Sequence, residues 1–183
     1  KPVYHWALAG EGGVAATCSN GAAFRLDMGL DEVDRDDTVL VCGGVDIKRT
    51  TTKAVIGWLR RESRRGVAIG GLCTGAYSLA KAGLLDGKKA TIHWENQDGF
   101  LEEFEQVRLT KSVFVMDGNR LTTAGGISSI DLILKIIAAD HGQDAQGPAR
   151  AIGAAQAVDG AVTLPRGQGE EEAEGGHRGH DRP

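Results

Sequence analysis

The chain has 183 residues, of which 41% are hydrophobic and 25% are charged. This size suits one domain with a real core, and the composition is that of globular proteins, unlike disordered, fibrous or membrane chains. The 21 basic and 25 acidic side chains leave a net charge of −4, which offers no general attraction for a phosphate backbone. Binding to nucleic acid would therefore need another segment.

The ends of the chain and its cysteines indicate a cellular compartment. No run of about 18 uncharged apolar residues occurs, and residues 1–3 are neither a signal peptide nor an initiator methionine. We therefore expect a cytoplasmic protein without membrane contact, whose own first residues are missing. The three cysteines match no zinc spacing, which predicts reduced thiols, no metal site and no cofactor.

Apolar periodicity predicts the elements of the first half in chain order. An alternating pattern predicts a strand over residues 3–9, and an acidic loop follows over residues 31–37. The continuous apolar run 38–42 predicts a strand that is buried on both faces, as in a parallel sheet covered by helices. Apolar spacings of three and four then predict a helix over residues 51–65, which Gly66 ends.

The second half alternates strands and helices in the same way. Residues 67–75 are predicted to be a strand with a glycine-rich turn, and a small-residue helix follows over about 76–84. Further strands are predicted at 89–93, 113–116 and 120–123, and further helices at about 95–104 and 128–141. This alternation indicates an α/β domain with a mostly parallel sheet, in which ligands bind at the carboxyl ends of the strands.

Composition changes near Gly147. Every aromatic residue lies at or before Phe114, while residues 147–183 are rich in glycine and glutamate. Such a segment buries too little apolar surface to offset the entropy of ordering it. We therefore expect one domain over residues 1–146 and a disordered, low-complexity tail over residues 147–183.

The pentapeptide at residues 71–75, Gly-Leu-Cys-Thr-Gly, has the form of a nucleophile elbow between a buried strand and a helix. In that geometry Cys73 projects at the sheet edge, where the dipole of the following helix favours a thiolate. The backbone N–H of Thr74 would be one oxyanion donor, and N–H groups around Gly43 and Gly44 the second. A buried structural cysteine in a glycine-rich turn is the alternative.

A nucleophilic thiol needs a base, and His93 is the candidate. It closes the strand predicted at 89–93, which should neighbour Cys73, and Trp94 follows it. A histidine that caps or packs at the helix start is the alternative. Two further glycines, Gly125 and Gly126, precede the last predicted helix and either bind an anion through their N–H groups or form a tight turn.

Several of these motifs, taken in order, resemble the ThiJ/PfpI group of the class I glutamine amidotransferase-like superfamily. The segments that carry the resemblance are residues 41–44, 70–76, 83–87, 90–94 and 118–126. Within that group, residues 93–96 (His-Trp-Glu-Asn) and 123–126 (Thr-Ala-Gly-Gly) are similar to the amino-terminal domain of GlxA-type regulators of the AraC family. The resemblance implies a flavodoxin-like three-layer sandwich with a mostly parallel central sheet and a nucleophile elbow at Cys73.

For function, the resemblance implies a domain that senses a small metabolite for a transcription regulator. DNA binding would belong to a separate helix-turn-helix domain that this chain does not encode, and a homodimer is expected. After His141 the composition is what reading GC-rich coding DNA in a wrong frame would produce, so we expect a truncated or frame-shifted regulator. The expected ligand-binding residues are Gly43, Gly44, Cys73, Thr74, His93, Trp94, Gly125 and Gly126.

The alternative is an enzyme, either a cysteine-dependent amidohydrolase or a glyoxalase-like or deglycase-like protein. Cys73 would then be the nucleophile and His93 the base. Two departures weigh against it: Thr74 stands where related hydrolases have histidine, and the chain is expected to start after the first strand, which many members follow with a glutamate. A plain dimerisation module is a third possibility.

Overall fold

A computed structural model describes residues 4–141 and 160–165. The strands are β1 (Ala7–Gly10), β2 (Ala15–Thr17), β3 (Ala23–Arg25), β4 (Met28–Gly29), β5 (Asp37–Gly43), β6 (Ala68–Cys73), β7 (Lys89–Ala90), β8 (Arg108–Leu109), β9 (Phe114–Asp117), β10 (Arg120–Thr123) and β11 (Gly160–Pro165). The helices are α1 (Ile47–Thr50), α2 (Lys53–Arg65), α3 (Ala76–Lys81), α4 (Gln97–Glu103) and α5 (Ser128–His141), with short 3-10 helices at Leu30–Glu32 and Trp94–Asn96.

Seven strands form the central sheet in the order β4-β1-β11-β5-β6-β10-β9. The middle of the sheet is parallel: β5 pairs with β6 from Thr38 opposite Ala68 to Gly43 opposite Cys73, and β6 pairs with β10. Strands β9 and β11 run against the other five. The predicted α/β fold with a mostly parallel central sheet is confirmed.

Apolar side chains on the two faces of this sheet form separate clusters. Successive residues of a strand point to opposite faces, and accordingly Val39 belongs to the larger cluster and Leu40 to the smaller. The larger cluster includes Leu59 of α2 and Leu79 of α3, whereas Leu132 of α5 lies in the smaller one. Helices therefore cover both faces, as the predicted three-layer sandwich requires.

Local signals place the ends of α2. The hydroxyl of Thr52 accepts a hydrogen bond from the Val55 N–H at 3.1 Å, so the helix begins at Lys53, two residues after the predicted start. It ends at Gly66, whose left-handed φ of 92° suits glycine. Among the described residues, no helix is both long and apolar enough to cross a membrane.

The strand predicted at 89–93 differs most from the structure. Only Lys89–Ala90 forms a strand, β7, and it pairs with β8 in a separate two-stranded sheet. The chain leaves that ladder at Thr91, whose N–H donates to the hydroxyl of Thr122 at 2.9 Å instead of to a backbone carbonyl. His93 therefore does not end a strand of the central sheet.

Strand β11 lies inside the segment predicted to be a disordered tail. It runs antiparallel between β1 and β5, with Val162 opposite both Leu8 and Leu40. The expectation of disorder is wrong for these six residues, because a short segment containing Val162 and Thr163 gains ladder hydrogen bonds on both sides. The remainder of 142–183 lies outside the described residues, so the domain boundary at 146 stays a prediction.

Candidate functional site

The backbone turns sharply at Cys73, between the end of β6 and the start of α3. Cys73 has a φ of 57°, the one positive φ of a residue other than glycine in the described part of the chain. A left-handed conformation costs such a residue about 1–2 kcal/mol, so the surroundings must enforce it. The turn thus has the strained backbone expected of an elbow, while a nucleophilic role for its thiol stays a prediction.

Glycines allow the start of α3 to lie directly on the sheet. A Cβ atom on Gly43 would stand 2.2 Å from the nitrogen of Gly75, and one on Gly75 would stand 2.0 Å from the Val41 oxygen. The buried hydroxyl of Thr74 donates to the carbonyl of Gly44 at 2.7 Å. The structure therefore joins Gly43, Gly44 and Thr74 in one packed unit beside Cys73, while their role as oxyanion donors stays a prediction.

The loop before α5 reaches the same unit through Thr123. This fully buried residue accepts the Cys73 N–H at 3.4 Å and the Gly125 N–H at 3.3 Å through its hydroxyl oxygen, which also lies 3.1 Å from the Ser129 hydroxyl. A Cβ on Gly125 would stand 2.9 Å from the Cys73 sulfur. Sequence reasoning assigned no role to Thr123, and its only signal was its place before the paired glycines.

Both glycines of that loop adopt left-handed conformations, with φ values of 93° at Gly125 and 58° at Gly126. The Gly125 carbonyl accepts a hydrogen bond from the Ser128 hydroxyl at 2.7 Å, which closes the loop onto the first turn of α5. A tight turn is therefore present. Anion binding by these glycines stays a prediction.

The pKa of the Cys73 thiol is raised above its ordinary value. Burial is the main cause, and a hydrogen bond with the backbone N–H of Thr74 acts in the opposite direction. Burial of the thiol thus opposes the thiolate that the dipole of α3, a helix of only six residues, is expected to favour.

His93 and Trp94 lie at the start of the 3-10 helix that follows β7. The Nδ1 atom of His93 is 3.8 Å from a carboxylate oxygen of Glu95, and its ring centroid is 5.7 Å from that of Trp94, which is 69% exposed. Within the described residues, neither His93 nor any carboxylate forms a hydrogen bond with the Cys73 thiol. The structure therefore does not assemble a cysteine–histidine–carboxylate triad there.

Other candidate groups lie elsewhere. Cys18 and Cys42 are buried, and burial raises the pKa of Cys42 to about 12. A cavity of about 220 Å³ opens beside α1 and α2, and none of the predicted ligand-binding residues lines it. Across residues 4–141 and 160–165, no cluster of three or more histidine, cysteine or acidic side chains could hold a metal ion.

Comparisons with known proteins agree with this fold and these motifs. The HTH-type transcriptional regulator CdhR of Pseudomonas aeruginosa is 42% identical over 140 residues, which cover 76% of this chain and 42% of that protein. The HTH-type transcriptional regulator GlxA of Rhizobium meliloti is 36% identical over 145 residues, covering 79% and 45%. This chain thus spans less than half the length of either relative.

Among solved structures, an AraC family transcriptional regulator from Pseudomonas putida superimposes with a TM-score of 0.61 and 26% identity. The superposition covers 74% of this chain and 72% of that one. The family model described as DJ-1/PfpI family matches residues 4–139. This match confirms the family resemblance seen in the sequence motifs, and it includes the turn at Cys73 and all eight predicted site residues. The chain therefore belongs to the DJ-1/PfpI family.

Proposed function

We propose that this chain is the small-metabolite-sensing domain of a cytoplasmic, AraC-type transcription regulator. Membership of the DJ-1/PfpI family, together with relatives that are HTH-type regulators more than twice the matched length, supports this proposal. DNA binding would reside in a separate helix-turn-helix domain. The regulator would act as a homodimer.

One observation carries the choice of a sensor over an enzyme: among the described residues, no base is hydrogen-bonded to the Cys73 thiol. Its pKa is raised, and in the part of the chain described it forms no hydrogen bond with His93 or with a carboxylate. A cysteine nucleophile needs a neighbouring base or a lowered pKa. A half-buried thiol beside the backbone N–H of Thr74, with its pKa raised, is better suited to contact a ligand in its ground state.

The ligand would be a small polar metabolite bound at the carboxyl ends of β5 and β6. The N–H groups of Thr74 and Gly126 favour an anionic or carbonyl oxygen. His93 and the exposed ring of Trp94 would contact the opposite side of the ligand. Such a site recognises charge and shape without breaking a bond.

The second candidate is an enzyme of the amidohydrolase, glyoxalase-like or deglycase-like kind. The strained φ of 57° at Cys73 favours it, since strained residues are common at active sites. In that case ligand binding would have to bring His93 to the thiol. Cys73 would then attack the substrate, and His93 would accept its proton.

Calorimetric titration with amino-acid-like and quaternary-amine metabolites, run beside hydrolase, glyoxalase and deglycase assays, separates the two candidates. For a sensor, Cys73→Ser should leave affinity within roughly tenfold, about 1.4 kcal/mol, because the backbone donors remain. His93→Gln is the matched second variant. Wild-type turnover that both substitutions abolish would overturn the sensor proposal and support the enzyme.

A gel-shift titration tests the separation of sensing from DNA binding. With a net charge of −4, this chain should not bind duplex DNA at physiological salt. Sequence-specific binding of DNA at submicromolar concentrations of this chain would contradict the assignment of DNA binding to a separate domain.

A further inference from the structure

The cavity beside α1 and α2 has a buried apolar floor. Val41 of β5, Ile47 of α1 and Trp58 of α2 line it, and each of these side chains is 7% exposed or less. All three belong to the larger apolar cluster. Ala15 and Ala16 of β2 also line the cavity, and their small side chains fill little of its volume of about 220 Å³.

The polar side chains on the inner part of the cavity already have partners. The indole N–H of Trp58 donates to the Leu30 carbonyl at 2.8 Å, and the Ser78 hydroxyl lies 2.8 Å from the Thr51 hydroxyl. The Thr50 hydroxyl lies 3.4 Å from two backbone carbonyls. Because buried polar groups without partners are what hold water or a polar ligand, this cavity favours an apolar occupant.

One carboxylate stands at the mouth of the cavity. Glu11 is the charged side chain among the described lining residues, and it is exposed, as is the neighbouring lining residue Ala15. It accepts a hydrogen bond from the Thr52 hydroxyl at 2.9 Å, which holds it beside the start of α2. Burial raises the pKa of the Cys42 thiol, which also lines the cavity, to about 12. The carboxylate at the mouth should therefore repel an anionic ligand.

The volume limits the size of the ligand. An apolar cavity of about 150 Å³ holds one benzene ring, so a cavity half as large again suits about nine non-hydrogen atoms. Pockets for drug-sized ligands begin at about 300 Å³, above the 220 Å³ found in this protein. A fused two-ring compound of the size of indole matches this volume.

We propose that this cavity is a second ligand-binding site, which takes a small, uncharged, apolar molecule such as an aromatic ring compound. Such a ligand would contact β5, α1 and α2 at once and stabilise their packing. This inference goes beyond the function proposed above, because both the ligand class and the binding residues differ. The site around Cys73 favours an anionic or carbonyl oxygen, whereas this cavity should reject an anion.

Calorimetric titration of the 183-residue chain with indole tests the inference. We expect a dissociation constant on the order of 0.1–1 mM, as suits a ligand of this size. NMR of methyl-labelled protein should show contacts between indole protons and the methyl groups of Ile47 and Val55, which both line the cavity. These contacts are measured on the wild type, so they do not depend on any variant.

Two further probes of equal size test the preference for an uncharged ligand. Benzamide should bind, and benzoate should bind at least about tenfold more weakly, because the apolar floor and Glu11 both disfavour an anion. Glu11→Gln, which keeps an oxygen that can accept from Thr52, should narrow that difference.

Filling the cavity should remove the site. Ala16 is half-buried, and Ala16→Leu should weaken indole binding at least about tenfold and raise Tm by about 2–4 °C. Val55→Phe narrows the cavity from α2 and should weaken indole binding in the same way. Ala23→Leu, at an exposed position on the paired strand β3, is the matched control and should change neither value. Circular dichroism checks that each variant is folded.

Three results would overturn the inference. The first is a folded wild type that binds no indole up to about 10 mM. The second is indole that contacts other residues, or that binds both filled variants as well as the wild type. The third is indole binding that Cys73→Ser abolishes, since the compound would then occupy the other site. Failure of the proposed function is seen separately, as the absence of polar metabolite binding, and leaves indole binding unchanged.

Discussion

Gly125 lies so close to Cys73 that a methyl group on its Cα would stand 2.9 Å from the thiol sulfur. The approach is possible because residue 125 has no side chain and adopts a φ of 93°, a region that glycine enters at no steric cost. The loop before α5 therefore packs directly against the thiol. A change at residue 125 should therefore alter both the stability of the domain and the access to Cys73.

Two alanine substitutions separate these effects. Gly125→Ala should lower the free energy of unfolding by about 2–4 kcal/mol, since it combines backbone strain with overpacking against Cys73. Gly126→Ala, at a φ of 58° with nothing within 4 Å of its Cβ position, should cost only about 1 kcal/mol. Denaturant unfolding measures both, and equal losses would show that Gly125 does not press on the thiol.

Alkylation should distinguish the three cysteines. Cys73 is half-buried, whereas Cys18 and Cys42 are each 6% exposed, so iodoacetamide should modify Cys73 first. Because burial raises the pKa of Cys73, its rate should still be rising at pH values where an ordinary thiol has levelled off. Mass mapping across neutral and alkaline pH measures this. Earlier modification of Cys42, whose pKa is raised to about 12, would contradict the burial described here.

The glycine at position 43 should tolerate no side chain. A Cβ there would stand 2.2 Å from the Gly75 nitrogen and 2.4 Å from the Thr74 hydroxyl, so Gly43→Ala should cost more than about 3 kcal/mol or prevent folding. Gly57 in the middle of α2 is the matched contrast, with nothing near its Cβ position. Gly57→Ala should stabilise the protein by about 0.5–1 kcal/mol. Thermal unfolding measures both variants. A lower Tm for Gly43→Ala and a higher Tm for Gly57→Ala would support the close packing at Gly43 of β5.

Glu103 should make the domain sensitive to acid. Its carboxylate accepts hydrogen bonds from Lys48 at 2.9 Å, Lys81 at 2.9 Å and Tyr77 at 2.7 Å, and these partners, Lys48 first, lower its pKa from 4.5 to about 2. A lowered folded-state pKa contributes stability that is present above 4.5 and lost as pH falls toward about 2.

Glu103→Gln tests this assignment. It should lower the free energy of unfolding at neutral pH by about 1–2 kcal/mol and flatten the acid-side loss of stability. Glu102→Gln, at an exposed position outside the cluster, is the control and should do neither. An unchanged acid profile in Glu103→Gln would show that the cluster adds no stability.

Much of the architecture was accessible from the sequence. The helix predicted at 128–141 coincides with α5, and the strand predicted at 38–42 lies within β5. The pentapeptide at 71–75 does mark the end of β6, the strained Cys73 and the approach to α3. These features depend on periodicity, caps and glycine positions, which act over a few neighbouring residues, and the motifs that revealed the family are equally local.

Tertiary structure alone decided the chemistry around the thiol. The link from Cys73 through Thr123 to the loop before α5 joins residues 50 positions apart, and no local pattern encodes it. The raised pKa of Cys73 comes from burial, and His93 does not end a strand of the central sheet because the chain leaves β7 after Ala90. Likewise, β11 forms a strand because it pairs with β1 on one side and with β5 on the other. Burial and strand pairing are properties of the folded chain. The sequence by itself determines only features that depend on residues close to each other along the chain.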